Sequence, residues 1–222
     1  MHCMLDYRVE ALTEDEQARE REVHGSLTQS TRELIDAVLR STLPDGELDE
    51  IRGEIDKLSA RLRSNQLPGP FGISVTPQGT VRAHGNAVVG LRNAVAPPVH
   101  VEKDSSGKAW ADVTLGAAYE GPPGMVHGGV SALLLDQLCG EAASAGGSPG
   151  MTGQLTLNYR RPTPLGPIHL EAHIARVEGI KTWVEGSIAD ADGVTIECEG
   201  LFILPRWARE AIADTSTVPI FE

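Results

Sequence analysis

The loop Gly121-Pro122-Pro123-Gly124-Met125-Val126 runs into His127-Gly128-Gly129, and the apolar stretch Val130-Ser131-Ala132-Leu133-Leu134-Leu135 follows directly. This pattern predicts a helix that starts at the glycine pair. The first turn of a helix leaves N–H groups without acceptors and carries roughly half a positive charge. Glycines there let another group approach the backbone closely. Such a start suits an anion, or an oxygen that becomes anionic during a reaction. Asp136 lies about two turns further on, among Leu133, Leu135 and Leu138. A carboxylate in so apolar a stretch is costly unless it is paired or used. It can serve as a base, or it can face a polar neighbour across the helix. His127 can order the loop or join the chemistry.

The elements that must position these groups are strands. His100 to Glu102 and Ala109 to Leu115 read as two of them. Leu155, Leu157 and Tyr159 alternate with Gln154, Thr156 and Asn158. Ile168, Leu170, Ala172 and Ile174 alternate with His169, Glu171 and His173. Thr182 to Ile188 and Val194 to Leu204 complete the set, joined by a turn at Asp190-Ala191-Asp192-Gly193. Period-two alternation over several strands with short turns predicts an antiparallel sheet with one buried face. That face needs a cover, and the segment Gly128 to Ala143 supplies it. Trp110, Trp183, Phe202, Cys139 and Cys198 read as core or interface residues, and His169 and His173 as exposed ones.

The N-terminal third differs in kind. Residues 1–66 carry 15 acidic and 9 basic residues, against 16 and 10 over residues 67–222. Leu48, Ile51, Ile55, Leu58 and Leu62 recur every three or four positions and share one helix face, with Pro44-Asp45-Gly46 as a start signal. An earlier helix spans about Glu14 to Leu39. Leu67-Pro68-Gly69-Pro70 ends the helical part. The divisions expected are a helical arm at 1–66, an irregular linker at 67–98, a sheet-and-helix domain at 99–205 and a tail at 206–222. The arm is expected to pack on the sheet or on a neighbouring subunit.

Composition excludes other classes. The chain has 222 residues, is 41% hydrophobic and carries a formal net charge of −12. It can bury a core, and its acidity argues against nucleic acid or an anionic membrane surface as the main partner. Cys3, Cys139 and Cys198 form no paired spacing and no metal pattern, so a reducing cytoplasm is the expected compartment. The longest apolar run is far too short to span a bilayer. No charged stretch followed by an apolar one marks a secretory signal at the N-terminus.

The run His127-Gly128-Gly129, with Asp136 nine residues after the histidine, resembles the helix signature of PaaI-like hotdog-fold acyl-CoA thioesterases. Downstream, Gly150-Met151-Thr152, Leu157-Asn158-Tyr159-Arg160-Arg161-Pro162, Val177-Glu178-Gly179 and Lys181 resemble the thioesterase-superfamily-member branch that acts on fatty acyl-CoA. The resemblance covers about Val99 to Pro205. Many PaaI-like members have an Asn six residues before the His. Here that position is Gly121, within a Gly-Pro-Pro-Gly loop like that of the fatty-acyl branch.

The resemblance implies an α+β hotdog fold, an antiparallel sheet wrapped around a long central helix. It implies a homodimer with shared active sites, or a dimer of dimers. Asp136 would be the general base or the nucleophile. The Gly128 N–H of the opposite subunit would polarise the thioester carbonyl, with Gly129 a second choice and His127 beside them. Thr152 would hold the water or the carboxylate. Asn158, Arg160 and Lys181 match positions that contact coenzyme A, and Arg161 adds charge for its phosphates. No metal and no cofactor is expected, since coenzyme A belongs to the substrate. The expected reaction is hydrolysis of a medium- to long-chain fatty acyl-CoA. A hotdog enoyl-CoA hydratase or dehydratase, and a non-enzymatic acyl-CoA-binding module, are the alternatives.

Overall fold

A computed structural model describes residues 8–77 and 81–213. Cys3 and the last part of the tail lie outside the described residues. The elements in chain order are β1 (Arg8–Val9), α1 (Glu14–Arg40), α2 (Asp45–Arg63), β2 (Ser74–Val75), β3 (Val81–Arg82), β4 (Glu102–Lys103) and β5 (Lys108–Leu115). Then follow α3 (Gly128–Ala145), β6 (Met151–Tyr159), β7 (Gly166–Glu178), β8 (Lys181–Asp190), β9 (Gly193–Ile203) and α4 (Arg206–Ala213).

The main sheet has the order β4-β5-β7-β8-β9-β6, and every neighbouring pair is antiparallel. This is the hotdog arrangement, with α3 as the filling. Alternate residues of β5 and β7, among them Ala111, Leu115, Ile168 and Leu170, are buried on one face. They join Leu134, Leu135, Leu138, Cys139 and Ala142 of α3 in one core. Truncating the fully buried Leu135 to alanine would cost about 2–5 kcal/mol. Cys139 and Cys198 sit in this core as free thiols with their sulfurs 3.6 Å apart. Phe202 is buried, whereas Trp110 and Trp183 are half-buried; the Arg176 guanidinium lies 3.7 Å from the Trp183 ring centre. His169 and His173 are exposed.

Two strand ends depart from the sequence reading. The first strand is Glu102–Lys103 and not His100 to Glu102. The turn that follows fixes its end: Asp104 accepts from Ser106 and Lys108, and Gly107 takes a φ of +85° against Ile174. The segment 67–98 is also not wholly irregular. β2 pairs with β1 on one side and with β3 on the other in a small sheet. Two-residue strands are too short to leave an alternating pattern in a sequence.

The arm divides into two parts. A capping box starts α1: Thr13 Oγ1 accepts from the Glu16 N–H at 3.2 Å, and Glu16 accepts from the Thr13 N–H at 2.8 Å. Helix α1 packs on the segment 81–98 and on Ala117–Tyr119, the single helical turn that follows β5. Arg32 donates to the Ala96 carbonyl at 3.0 Å, and Glu20 pairs with Arg82 and Arg92. Arg82 is 5% exposed and pairs with Glu10 as well. Helix α2 has no buried residue, and Leu48, Leu58 and Leu62 stand exposed. Among the described residues, no helix is long and apolar enough to cross a membrane.

Candidate active site

Helix α3 begins at the glycine pair. His127 caps it, its Nδ1 accepting the Gly129 N–H at 3.0 Å. The Gly129 N–H is therefore engaged within the loop. The Gly128 N–H, by contrast, has no acceptor among the described residues. It is the free donor at the positive end of the helix dipole.

Two residues hold this end in place. Tyr159, at the end of β6, donates its hydroxyl to the Gly128 carbonyl at 2.9 Å. A Cβ at Gly128 would lie 3.3 Å from that hydroxyl, so glycine lets the ring lie flush against the backbone. The loop before the helix is pinned by Gly121, whose N–H reaches the Met125 carbonyl at 2.9 Å. A Cβ at Gly121 would come within 2.8 Å of the His127 Cα. An Asn at this position has no room in this loop. Tyr159 was not singled out by sequence reasoning; its aromatic place in Asn158-Tyr159-Arg160-Arg161 was the available signal.

Asp136 is half-buried and accepts the Thr152 hydroxyl at 2.8 Å. Thr152 reaches it from β6, where a bulge at Gly153 shifts the register between Thr152 and Gln154. A bulge re-aims the side chain beside it, and a Cβ at Gly153 would meet Ile203 at 2.9 Å. So the polar neighbour of Asp136 comes from the sheet edge.

Asp136 and Gly128 are eight residues apart on one helix, or about 12 Å along its axis. Within one chain they cannot reach the same carbonyl. The other candidates also fall apart within a chain. Asn158 and Arg160 lie at one end of the sheet, opposite Glu197 and next to Ile196. Lys181 lies at the other end, in the row of Ile203 and Met151. Six residues of strand separate the row of Lys181 from that of Asn158 and eight from that of Arg160, about 20 and 27 Å.

The cations differ in their engagement. Lys181 is exposed and has no carboxylate partner among the described residues. Arg160 donates twice to Glu197, at 2.8 and 2.6 Å, on the exposed surface. Arg161 is held by Asp190 and by the Gly193 carbonyl, the latter at 2.7 Å. It clamps the β8–β9 turn and does not face an open site. The Arg161 guanidinium holds the Asp190 carboxyl at about 2, well below the usual range. The hydrogen bond with Cys198, together with burial, pushes the Cys139 thiol up, while the same bond lowers the Cys198 thiol; both lie buried in the core.

The sequence profile of the thioesterase superfamily matches residues 123–197, from the loop before α3 to Glu197 of β9. The chain is 34% identical over 91 residues to acyl-coenzyme A thioesterase THEM4 of Xenopus laevis, covering 40% of this chain and 41% of that protein. It is 33% identical over 91 residues to the Bos taurus THEM4, covering 40% and 37%. The matched stretch thus spans about two fifths of these relatives' length. A crystal structure of a thioesterase superfamily protein superposes with a TM-score of 0.74 at 38% identity, covering 81% of this chain and 90% of that one. That coverage takes in α1 or α2 as well as the sheet, since the sheet domain alone is too short to supply it. With the sheet, the central helix and the profile all in agreement, the chain belongs to the thioesterase superfamily.

Proposed function

We propose that this protein hydrolyses acyl-CoA thioesters at sites shared between two copies of the chain. The observation that carries the reading is the pair of half-sites on α3. A free N–H at Gly128 and a hydroxyl-held carboxylate at Asp136 lie too far apart for one chain and suit two chains related by a two-fold axis. The relatives named acyl-coenzyme A thioesterases supply the substrate class.

The surface of the chain supports pairing. Among the described residues β6 hydrogen-bonds to β9 alone, and its other edge has no strand partner. Met151 and Tyr159 of β6 and Leu133 of α3 are exposed apolar residues beside it. Two copies of β6 related by a two-fold axis must run antiparallel. Such pairing brings the Gly128 end of one α3 towards the Asp136 of the other. It also brings Lys181 of one chain towards Asn158 and Arg160 of the other, which gathers cations for the phosphates of coenzyme A.

The chemistry then follows. The thioester carbonyl oxygen takes the Gly128 N–H of one subunit. Asp136 of the other subunit, held by Thr152, removes a proton from water as its oxygen adds to the carbonyl carbon. The oxyanion collapses, the carbon–sulfur bond breaks, and the thiolate of coenzyme A leaves and takes up a proton. A positioned base is worth roughly 10²–10⁴-fold and an oxyanion donor about 10²–10³-fold. This route calls on no metal or redox group. Direct attack by the Asp136 carboxylate would pass through an anhydride. Single turnover in heavy-oxygen water separates the two, since only attack by the carboxylate leaves label on the enzyme and not in the first-formed acid. We take the preferred acyl group to be a medium to long fatty chain, following the branch likeness of Asn158 to Pro162.

The test is thiol release from acyl-CoA esters of graded length, by wild type and by Asp136→Asn. Turnover by wild type and a loss of at least about 10²-fold in the variant are expected. Tight acyl-CoA binding with no thiol released would overturn the hydrolase reading in favour of a binding module.

A further inference from the structure

A groove of about 840 Å³ lies between the N-terminal arm and the C-terminal half of α3. On the arm side it is lined by Gly25 of α1 and by Val89 and Leu91. On the α3 side it is lined by Gln137, Gly140 and Ser144. Met151 lines it as well. Gln137 follows Asp136 in the chain and Gly140 lies one helical turn after it, so the groove runs along α3 next to the turn that carries Asp136. Its size is that of a small-molecule site.

The groove is cationic in a chain whose formal net charge is −12. Arg21, Arg32 and Lys103 line it against one carboxylate, Glu141. Lys103 is matched by that carboxylate at 2.7 Å. Arg32 is half-buried and donates only to the carbonyls of Ala96 and Asn93, at 3.0 and 3.4 Å. Neither Arg21 nor Arg32 has a carboxylate partner among the described residues. Eleven residues of α1 separate the two, about 16 Å, so a single carboxylate meets one of them and not both. Apolar walls suit methylene groups, and an unmatched guanidinium suits a carboxylate in fork geometry.

We propose that this groove receives the acyl group and selects chains that end in a carboxylate, which pairs with Arg21, whose guanidinium is held by no other group among the described residues. The proposal rests on the thioesterase reading above. In it the N-terminal arm builds a specificity pocket against the catalytic helix.

The test compares two long thioesters of equal length, the mono-CoA ester of an α,ω-dicarboxylic acid and its methyl-ended counterpart, with acetyl-CoA as a short control. Wild type is expected to prefer the carboxylate-ended ester by about tenfold or more in kcat/KM. Arg21→Gln is expected to remove that preference. Gly25→Met is expected to lower turnover of both long esters about tenfold and spare acetyl-CoA. A Cβ at Gly25 lies 3.4 Å from Leu91, so the longer side chain fills the groove, while α1 gains helix propensity. Equal turnover of the two long esters by wild type, or a preference that survives Arg→Gln replacement, would overturn the proposal. Calorimetric binding of the same esters to Asp136→Asn separates the two readings. Discrimination in binding without wild-type hydrolysis keeps the groove and removes the hydrolase; no discrimination in binding removes the groove.

Discussion

The Tyr159 hydroxyl donates to the Gly128 carbonyl at 2.9 Å, so the last residue of the edge strand holds the peptide that opens the central helix. The carbonyl it binds and the N–H proposed to meet the thioester belong to the same residue. Removing the hydroxyl frees the first turn of α3 to shift. Tyr159→Phe is expected to lower kcat about tenfold with little change in KM, because the oxyanion forms only as the reaction proceeds. Steady-state kinetics on one acyl-CoA checks this. An unchanged kcat would show that the loop and the His127 cap hold the helix end unaided.

Thr152 offers Asp136 a hydroxyl at 2.8 Å from across the bulge. That bond leaves the second carboxylate oxygen for water. Thr152→Ala is expected to lower kcat roughly tenfold, and Thr152→Ser to restore most of it, since serine keeps the donor. A serine variant as slow as the alanine one would mean that the threonine methyl group, and not the hydroxyl, positions the carboxylate.

Arg161 and Asp190 set a pH dependence of stability. Asp190 titrates at about 2 in the folded chain, because Arg161 bonds its charged form, and near 3.9 when unfolded. A depressed folded value stabilises the fold at pH above the unfolded one, and that contribution disappears as pH falls from about 4 through about 2. Asp190→Asn is therefore expected to melt below wild type at pH 7, with the gap in Tm closing towards pH 2. A gap that stays constant over this range would assign the effect to the turn itself and not to the carboxylate charge.

What the sequence revealed follows physical scale. Helix α3 begins at Gly128 as the glycine pair and the apolar run required, and β7 and β8 carry the alternation that marks a half-buried sheet. Those signals repeat over many residues. The glycine pair also marked the helix N-terminus, and Asp136 stood out because a carboxylate is rare in such a stretch. Single long-range contacts left no such trace. Nothing local says that Arg161 clamps Asp190, that Cys139 faces Cys198, or that Arg82 is buried between Glu10 and Glu20. Arg160 and Arg161 look alike in sequence. The strand end turns one towards Glu197 and the other towards the β8–β9 turn. The groove under α1 was equally hidden, because it joins residues more than a hundred positions apart.

The central claim is that each site takes Gly128 from one chain and Asp136 from the other. Gly128→Pro deletes the one N–H in question, and proline is well suited to the first position of a helix. The extended backbone of His127, with ψ at 131°, is compatible with a following proline. Gly128→Pro and Asp136→Asn proteins should each be nearly inactive. They are then mixed under conditions where a tagged wild-type control shows that subunits exchange, and thiol release is measured. A mixed dimer built as described has one doubly altered site and one intact site, so the mixture is expected to recover about one quarter of wild-type activity. Recovery of none, with exchange shown to be complete, would place both groups in the same chain's site and contradict the account.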